Sequence, residues 1–554
     1  MPPHLLQLPV ETLTQIIGLC DHESLRQLRQ VHQTLELIAN PVFFRKYTLR
    51  RSNGAVAHMS DHPIFGAWLD KESPSNRGFR LMLENVQEFH VENLSDPPRR
   101  GPPDDFPDNS KLSSTGLMLN VQDIICSMKK LRELRWVIGN GNNKGPQMIN
   151  LSSIADQITK LTIELYPYIF SDTAATGALA GELFSSFNLF SNLKYLDLGI
   201  GNPFIKFGTV FNNLPRLRHL KFHATGYGHY YPVDSQGFKA TTIIDFFKAQ
   251  TVPFKLQTLN VKGFDHRTSF PDEIVRIYFS ELEELNIRSE QFLNAPTSEV
   301  YDTIWEGLRQ RSVKLKRVEA WGECKPLLRY LKSYEGTLEV VKLKIAPYYC
   351  TNHTDVGTCR THHDAVEQFM AGIWGDVIPA HKYSLRELCI LPGSQHGGSY
   401  GVRPEFMSEM NEREPWRITD AAEGALVLCE KLEQIHLGSW IVPHLERAVE
   451  VAVRMPALRT LEYNLGGLSS RPSSAASWLD TSAHIRNKVF QLRHEVMGLR
   501  WDGGEVPEER WRGLDFIIVP LEKVRLEKDK RKSRRGMWKV VDNLSNLREL
   551  NTLI

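Results

Sequence analysis

Four residues of this chain have the types and spacing to bind a transition metal. They are Cys350 and His353, then Cys359 and His362, in the stretch CTNHTDVGTCRTHHD (350–364). Thiolate and imidazole together are zinc chemistry. Only five residues separate the two C-x-x-H pairs, where familiar fingers use a dozen or so, and a polar loop accounts for the same residues. A loop with coincidental ligands is therefore expected, with no metal or other cofactor, and the four-ligand site is the alternative. The Gly/Asn-rich stretch GNGNNKGP (139–146) lacks the glycine-lysine-hydroxyl ending of a phosphate-cradling loop and reads as a turn. No H-E-x-x-H helix occurs. The expectation is a chain without catalytic machinery of its own. A basic run, KVRLEKDKRKSRRGMWK (523–539), suits either nuclear import or a solvated loop.

The bulk properties narrow the class further. Lys and Arg total 67 against 65 Asp and Glu, a formal net charge of +2, so no global field points to nucleic acid or a membrane surface. With 41% hydrophobic and 10% aromatic residues, the chain can pack a core. No apolar run approaches the roughly 18 residues of a membrane span, and the start, MPPHLLQLPVE, lacks the features of a secretory signal. Seven scattered cysteines fit reduced thiols in the cytoplasm or nucleus.

Residues 8–44 carry three short amphipathic patterns. Leu8 and Pro9 open the first, with Pro in the first turn, and Val10, Leu13, Ile16, Ile17 and Cys20 give it an apolar face. The helix breaks at Asp21 or His22. Leu25, Leu28 and Val31 mark the second helix, Leu35 and Ile38 the third, and Asn40-Pro41 is expected to end it. So short a unit buries too little surface to stand alone and needs something to dock on.

From about residue 86 another pattern recurs: apolar, two residues, apolar, one residue, apolar. It reads VQEFHV (86–91), LRELRW (131–136), ITKLTI (158–163), LKYLDL (193–198), LRHLKF (217–222), LQTLNV (256–261) and LEELNI (282–287). LKRVEA (315–320), LEVVKL (338–343), LRELCI (385–390), LEQIHL (432–437) and LRTLEY (458–463) continue it, with weaker copies at 514–519 and 547–552. Successive copies start 23 to 56 residues apart, and the segments between them are helical in pattern. Strand, turn and helix repeat, each unit burying its neighbour's apolar face. The fold class expected is α/β, a stack of parallel strands with helices outside. An ordinary α/β domain with Leu-rich strands is the competing reading.

The N-terminal pattern resembles an F-box: Leu-Pro-x-Glu at 8–11, the pair Ile16-Ile17, Leu25, Leu28-Arg29-x-Val31 and a closing Phe43-Phe44. The chain departs from the usual pattern at His32, where Cys is common, at Leu35, where an aromatic is customary, and at Glu36, where a basic residue is common. With the repeats behind it, the chain resembles F-box/leucine-rich-repeat proteins, including divergent versions found in filamentous fungi. That resemblance implies a three-helix F-box over residues 1–50 and a helical linker at 51–83, in which IFGAWL (64–69) is helical. An irregular leucine-rich-repeat solenoid then fills 84–554, with loops inserted near 95–110, 350–364, 401–415, 466–477 and 523–536.

The same resemblance implies the substrate-recognition subunit of an SCF-type cullin–RING ubiquitin ligase. Its partners would be the adaptor subunit, the cullin and a target protein, with neither membrane nor nucleic acid among them. Leu8, Pro9, Leu13, Ile16, Ile17, Leu25, Leu28 and Val31 are the adaptor-binding candidates, some of which must instead hold the helices together. Between the buried strand positions, Lys262, Arg288, Glu319, Trp321, Lys344 and His436 are the target-binding candidates, with Trp321 as aromatic anchor. A binding protein or scaffold acting outside the ligase is the alternative.

Overall fold

A computed structural model of the chain describes residues 5–49, 63–92, 114–138, 150–165, 185–200, 211–224, 241–262 and 270–288. It further describes 302–321, 324–345, 356–392, 418–438, 447–448, 451–452 and 454–464, and the strands at 515–519, 524–528 and 538–542. The chain divides into two compact units, Met1–Glu281 and Leu282–Ile554.

The first unit begins with three helices, α1 (Val10–Gly18), α2 (His22–Val31) and α3 (Gln33–Phe43). Strand β1 (Lys46–Leu49) follows α3 after two residues. Helices α4 (Pro63–Leu69) and α5 (Arg77–Asn85) come next. The parallel strands β2 (Glu88–Val91), β3 (Glu133–Ile138), β4 (Lys160–Leu165), β5 (Tyr195–Ile200), β6 (His219–Ala224) and β7 (Thr258–Lys262) then follow, each beside the one before it. Helix α6 (Ser114–Cys126) joins β2 to β3, and α7 (Thr241–Lys248) joins β6 to β7.

The recurring pattern explains this sheet residue by residue. Its second apolar positions, Phe89, Leu134, Leu161, Leu196, Leu220 and Leu259, lie side by side in register and are buried. Its third positions, Val91, Trp136, Ile163, Leu198, Phe222 and Val261, form the next buried row. First positions such as Leu131, Leu193 and Leu217 are buried where the chain turns into each strand. That turn is built the same way every time. One carbonyl of the preceding copy accepts two successive amides of the next: Arg45 from Gln87 and Glu88, Arg132 from Thr159 and Lys160, Arg218 from Gln257 and Thr258. The alternation of strand side chains sends one set into the core and leaves the other facing away from the helices.

The second unit repeats the scheme. Strands β8 (Glu284–Arg288), β9 (Arg317–Trp321), β10 (Val340–Ile345), β11 (Glu387–Pro392), β12 (Gln434–Gly438), β13 (Thr460–Asn464) and β14 (Asp515–Val519) pair in parallel. The pairing then turns antiparallel: β15 (Val524–Lys528) and β16 (Trp538–Asp542) follow in the same sequential order. Helices α8 (Asp302–Gln310), α9 (Lys325–Leu331), α10 (Val356–Gly372) and α11 (Asp420–Val427) lie in the connections. Trp305, Tyr330 and Tyr334 pack ring to ring inside this layer, with His381 against Tyr334 at 5.0 Å. Gly336, at φ +68°, makes the turn before β10 in a conformation that favours glycine.

Four expectations need correction. Asn40-Pro41 does not end the third helix, which runs on to Phe43 with Phe44 N–H donating to Asn40 O at 2.9 Å. Asn40 is buried and held through its side chain by Arg29, which outweighs the bias of a pre-proline residue against helix. The stretch 350–364 is not a loop throughout, because α10 begins at Val356 and its C-terminal half buries Val366, Phe369 and Met370. The stretch 523–536 likewise contains β15. Finally, Pro9 precedes the first helix as its cap and lends its carbonyl to Leu13 N–H at 3.0 Å. The GNGNNKGP turn and the expected loops at 95–110, 401–415 and 466–477 lie outside the described residues.

Candidate functional site: an apolar bundle surface and an open sheet face

The bundle's helices owe their ends to local chemistry. Asp21 caps α2 by accepting from Ser24 N–H at 2.7 Å, and that bond holds its carboxyl below the usual carboxylate range. His32, extended at φ −156°, caps α3 by accepting from Thr34 N–H through Nδ1 at 3.1 Å. Between α2 and α3, Arg29 Nε donates to Asn40 Oδ1 at 2.6 Å, and its guanidinium lies 4.2 and 4.5 Å from the ring centres of Phe43 and Phe44. His22 stacks on Phe43 at 4.2 Å.

The bundle's core is small: Leu13, Ile17, Leu25, Leu35 and Ala39, with Cys20, Leu28, Ile38, Val42 and Phe43 partly buried against it. This divides the eight candidates. Leu13, Ile17 and Leu25 are interior, and Leu28 packs on them half-buried. Leu8, Pro9, Ile16 and Val31 face outward. Sequence reading missed two strongly exposed neighbours, Leu19 (89% exposed) and Leu37 (67% exposed). Leu37 falls between the buried Leu35 and Ala39, out of phase with the helix's apolar stripe, and that mismatch was the available signal. Among the described residues, seven of the eleven large hydrophobic side chains left exposed lie between Leu6 and Leu37, so the apolar surface concentrates on this one small element.

The second surface is the sheet face turned away from the helices. In the first unit, Arg135, Thr162, Asp197, Lys221 and Asn260 form one row across the strands. Asp197, only 6% exposed, meets Lys221 Nζ at 2.8 Å and His223 Nδ1 at 3.1 Å. Burial alone would raise its carboxyl, but the bonds and charges of His223 and Lys221 outweigh it and hold the group below the ordinary value. Glu133 takes Lys160 at 2.9 Å and Glu164 takes Arg135 at 2.7 Å. Lys262 lies half-buried at the far end of this face, in register with His223.

In the second unit the row is Asn286, Glu319, Lys342, Cys389, His436 and Glu462. Asn286 Nδ2 donates to Glu319 at 2.6 Å, Lys342 meets Glu387 at 2.6 Å, and His436 Nδ1 meets Glu462 at 3.0 Å. Burial pushes the Cys389 thiol up to about 12, against Lys342 nearby, so it stays protonated and inert. Of the target-binding candidates, Glu319, Lys344 and His436 stand half-buried on this face. Arg288 and Trp321 end strands β8 and β9, and their side chains lie outside what is described. Lys262 belongs to the first unit and the other five candidates to the second, where Trp321 and Lys344 are register partners on β9 and β10.

Among the described residues no group of three or more His, Cys, Asp or Glu is placed to hold a metal. Cys350 and His353 lie outside those residues. Cys359 and His362 sit on α10, without described side chains. No helix among the described residues is long and apolar enough to cross a membrane. No protein-family model matches this sequence, and a search of curated proteins returned no match.

Proposed function

We propose that this chain is the substrate-recognition subunit of an SCF-type cullin–RING ubiquitin ligase, acting in the cytosol or nucleus. On this reading the N-terminal bundle is an F-box that grips the adaptor subunit. The strand–helix copies behind it are divergent leucine-rich repeats whose open face holds a target protein, while other subunits transfer ubiquitin.

One observation carries the reading. A bundle with only five core residues keeps Ile16, Leu19, Val31 and Leu37 in water. Each costs apolar hydration, about 25 cal/mol per Å², that a partner's apolar surface would recover. The paired charges of the sheet face support the second half. Rows of half-buried acids and bases, already matched among themselves, suit a protein surface of mixed polarity better than a polyanion.

Affinity purification of the full chain and of a chain lacking residues 1–50, under proteasome inhibition, tests the proposal. Adaptor and cullin should accompany only the full chain, while the target accompanies both. Adaptor without cullin would favour a scaffold outside the ligase, and neither partner with the full chain would end the reading.

A further inference from the structure

The turn into each strand sets one residue of every copy at the same rim of the sheet, because its carbonyl accepts two amides of the next copy. In the first unit that residue is Arg45, Arg132, Lys194 or Arg218 in four copies, and the uncharged Gln87 or Thr159 in the two between. Strands β1 to β6 pair in sequence, so these cations lie along one line, at steps of about 4.8 or about 9.6 Å. The second unit is composed differently at the equivalent residue: Glu283, Lys316, Glu339, Arg386 and Glu433 alternate in sign. There Lys316 meets Glu283 at 3.0 Å and Arg386 meets Glu433 at 3.7 Å, so the row neutralises itself. The first unit's row contains no acid with which to do so.

Neighbouring acids do not make up the difference. Glu88 meets Arg45 at 3.3 Å, and Glu281 is shared between Arg218 and Lys255 at 3.3 Å each. Arg132, Lys194 and Arg216 are exposed and make no ion pair among the described residues. In the three residues ahead of each row position, Gln257 of the seventh copy included, Lys129, Lys130, Arg216 and Lys255 stand against Glu84 and Asp156. Two aliphatic side chains share this approach. Leu189 is 47% exposed and Val252 41%, each five residues ahead of its row position, Lys194 and Gln257. Among the described residues, none of the large hydrophobic side chains this unit leaves exposed is aromatic, so the bases of a single-stranded nucleic acid would find no stacking platform.

We propose that this rim of the first unit docks an acidic segment of a partner protein, an extended stretch of Asp and Glu interspersed with aliphatic residues. Its carboxylates meet Arg132 and Lys194, and its aliphatic side chains meet Leu189 and Val252. From Arg45 to Arg218 the row spans about 24 Å, the length of about seven extended residues. Charges of one sign on an exposed rim also speed the encounter and make it sensitive to salt. That the segment belongs to the ligase's target rests on the function proposed above. The rim's preference for it does not.

Fluorescence anisotropy with the full chain tests this, using a labelled peptide of about ten residues built from Asp, Glu and Leu. The wild-type chain should bind it, about tenfold more weakly at about 0.5 M salt than at about 0.05 M. Arg132→Gln/Lys194→Gln should weaken binding about fivefold to tenfold, the worth of two exposed charge contacts. Arg132→Lys/Lys194→Arg, which keeps both charges, should restore it. Lys316→Gln/Arg386→Gln, in the second unit's row, should change it less than about twofold. No binding by the wild-type chain, or an equal loss in the two Gln pairs, overturns the proposal. Tighter binding of an oligothymidylate of the same charge overturns it as well. Peptide binding that follows the prediction while no adaptor is captured keeps the acidic-segment rim and rejects the ligase reading. Adaptor capture without peptide binding does the reverse.

Discussion

Arg29 on α2 and Asn40 on α3 are joined by a 2.6 Å hydrogen bond from Nε to Oδ1, and Asn40 is 4% exposed. This is a polar joint in a bundle whose fully buried core is five small or aliphatic side chains. The same guanidinium covers Phe43 and Phe44, so one side chain ties the second helix to the end of the third. The joint also explains how α3 passes through Pro41, since Asn40 is fixed in helical geometry before the proline is reached.

Removing it should be costly for so slight a core. Arg29→Ala leaves Asn40 Oδ1 buried without its donor and strips the cation from two rings. A loss of about 2 kcal/mol in local stability is expected, the cost of deleting a buried bond to a charged group. Exchange protection across α2 and α3 measures it. Unchanged protection would show that the joint does not hold the helices.

Tyr330 makes a second test, in the other unit. Its hydroxyl donates to Val313 O at 2.8 Å and accepts from Leu315 N–H at 3.2 Å, and burial pushes the phenol well above its ordinary value. Tyr330→Phe keeps the ring and strands both backbone groups, so denaturant unfolding should register a loss of about 1–3 kcal/mol. A shift under about 0.5 kcal/mol would mean that those groups find other partners.

His381 should give the second unit an acid limb. The ring is fully buried, with Nε2 at 3.2 Å from Leu331 O and Nδ1 without a hydrogen-bond partner among the described residues. Burial holds its proton affinity below the ordinary value of 6.5, against the pull of the Leu331 carbonyl and Glu335. Below that value the unfolded chain binds more protons than the folded one. Stability therefore falls as pH drops from 6.5, until the lower folded value is reached. Thermal unfolding between about pH 7.5 and about pH 5 should show that slope in wild type and a flatter one in His381→Gln. Parallel slopes would assign the acid limb to other groups.

How much of this was legible in sequence depends on how many buried positions marked each element. A strand copy such as LRELRW shows three apolar residues in fixed phase, and Leu131, Leu134 and Trp136 are all interior. The parallel α/β arrangement could therefore be read from spacing alone. Helix α10 could not. Gly357, Thr361 and paired histidines are weak helix formers, and it is the packing of Val366, Phe369 and Met370 that specifies it. The bundle shows the same limit at finer scale. Ile16 and Ile17 are chemically identical neighbours, and only the approach of the other two helices puts Ile17 inside and Ile16 in water. Residue type alone makes Trp321 an anchor candidate, and the structure describes its backbone only.

If the outward apolar residues of the bundle grip a ligase adaptor, as proposed, substitutions on that face separate recruitment from folding. Ile16→Ser/Val31→Ser and Leu13→Ala are each expressed as the full chain, then assayed for thermal unfolding and for co-purification of adaptor and cullin. The surface pair should unfold like wild type yet lose the adaptor, since each buried anchor of such an interface is worth on the order of 2 kcal/mol. Leu13→Ala should lose about 2–5 kcal/mol of bundle stability and the adaptor with it. A surface variant that keeps adaptor and cullin at wild-type levels would show that this face does not hold the adaptor.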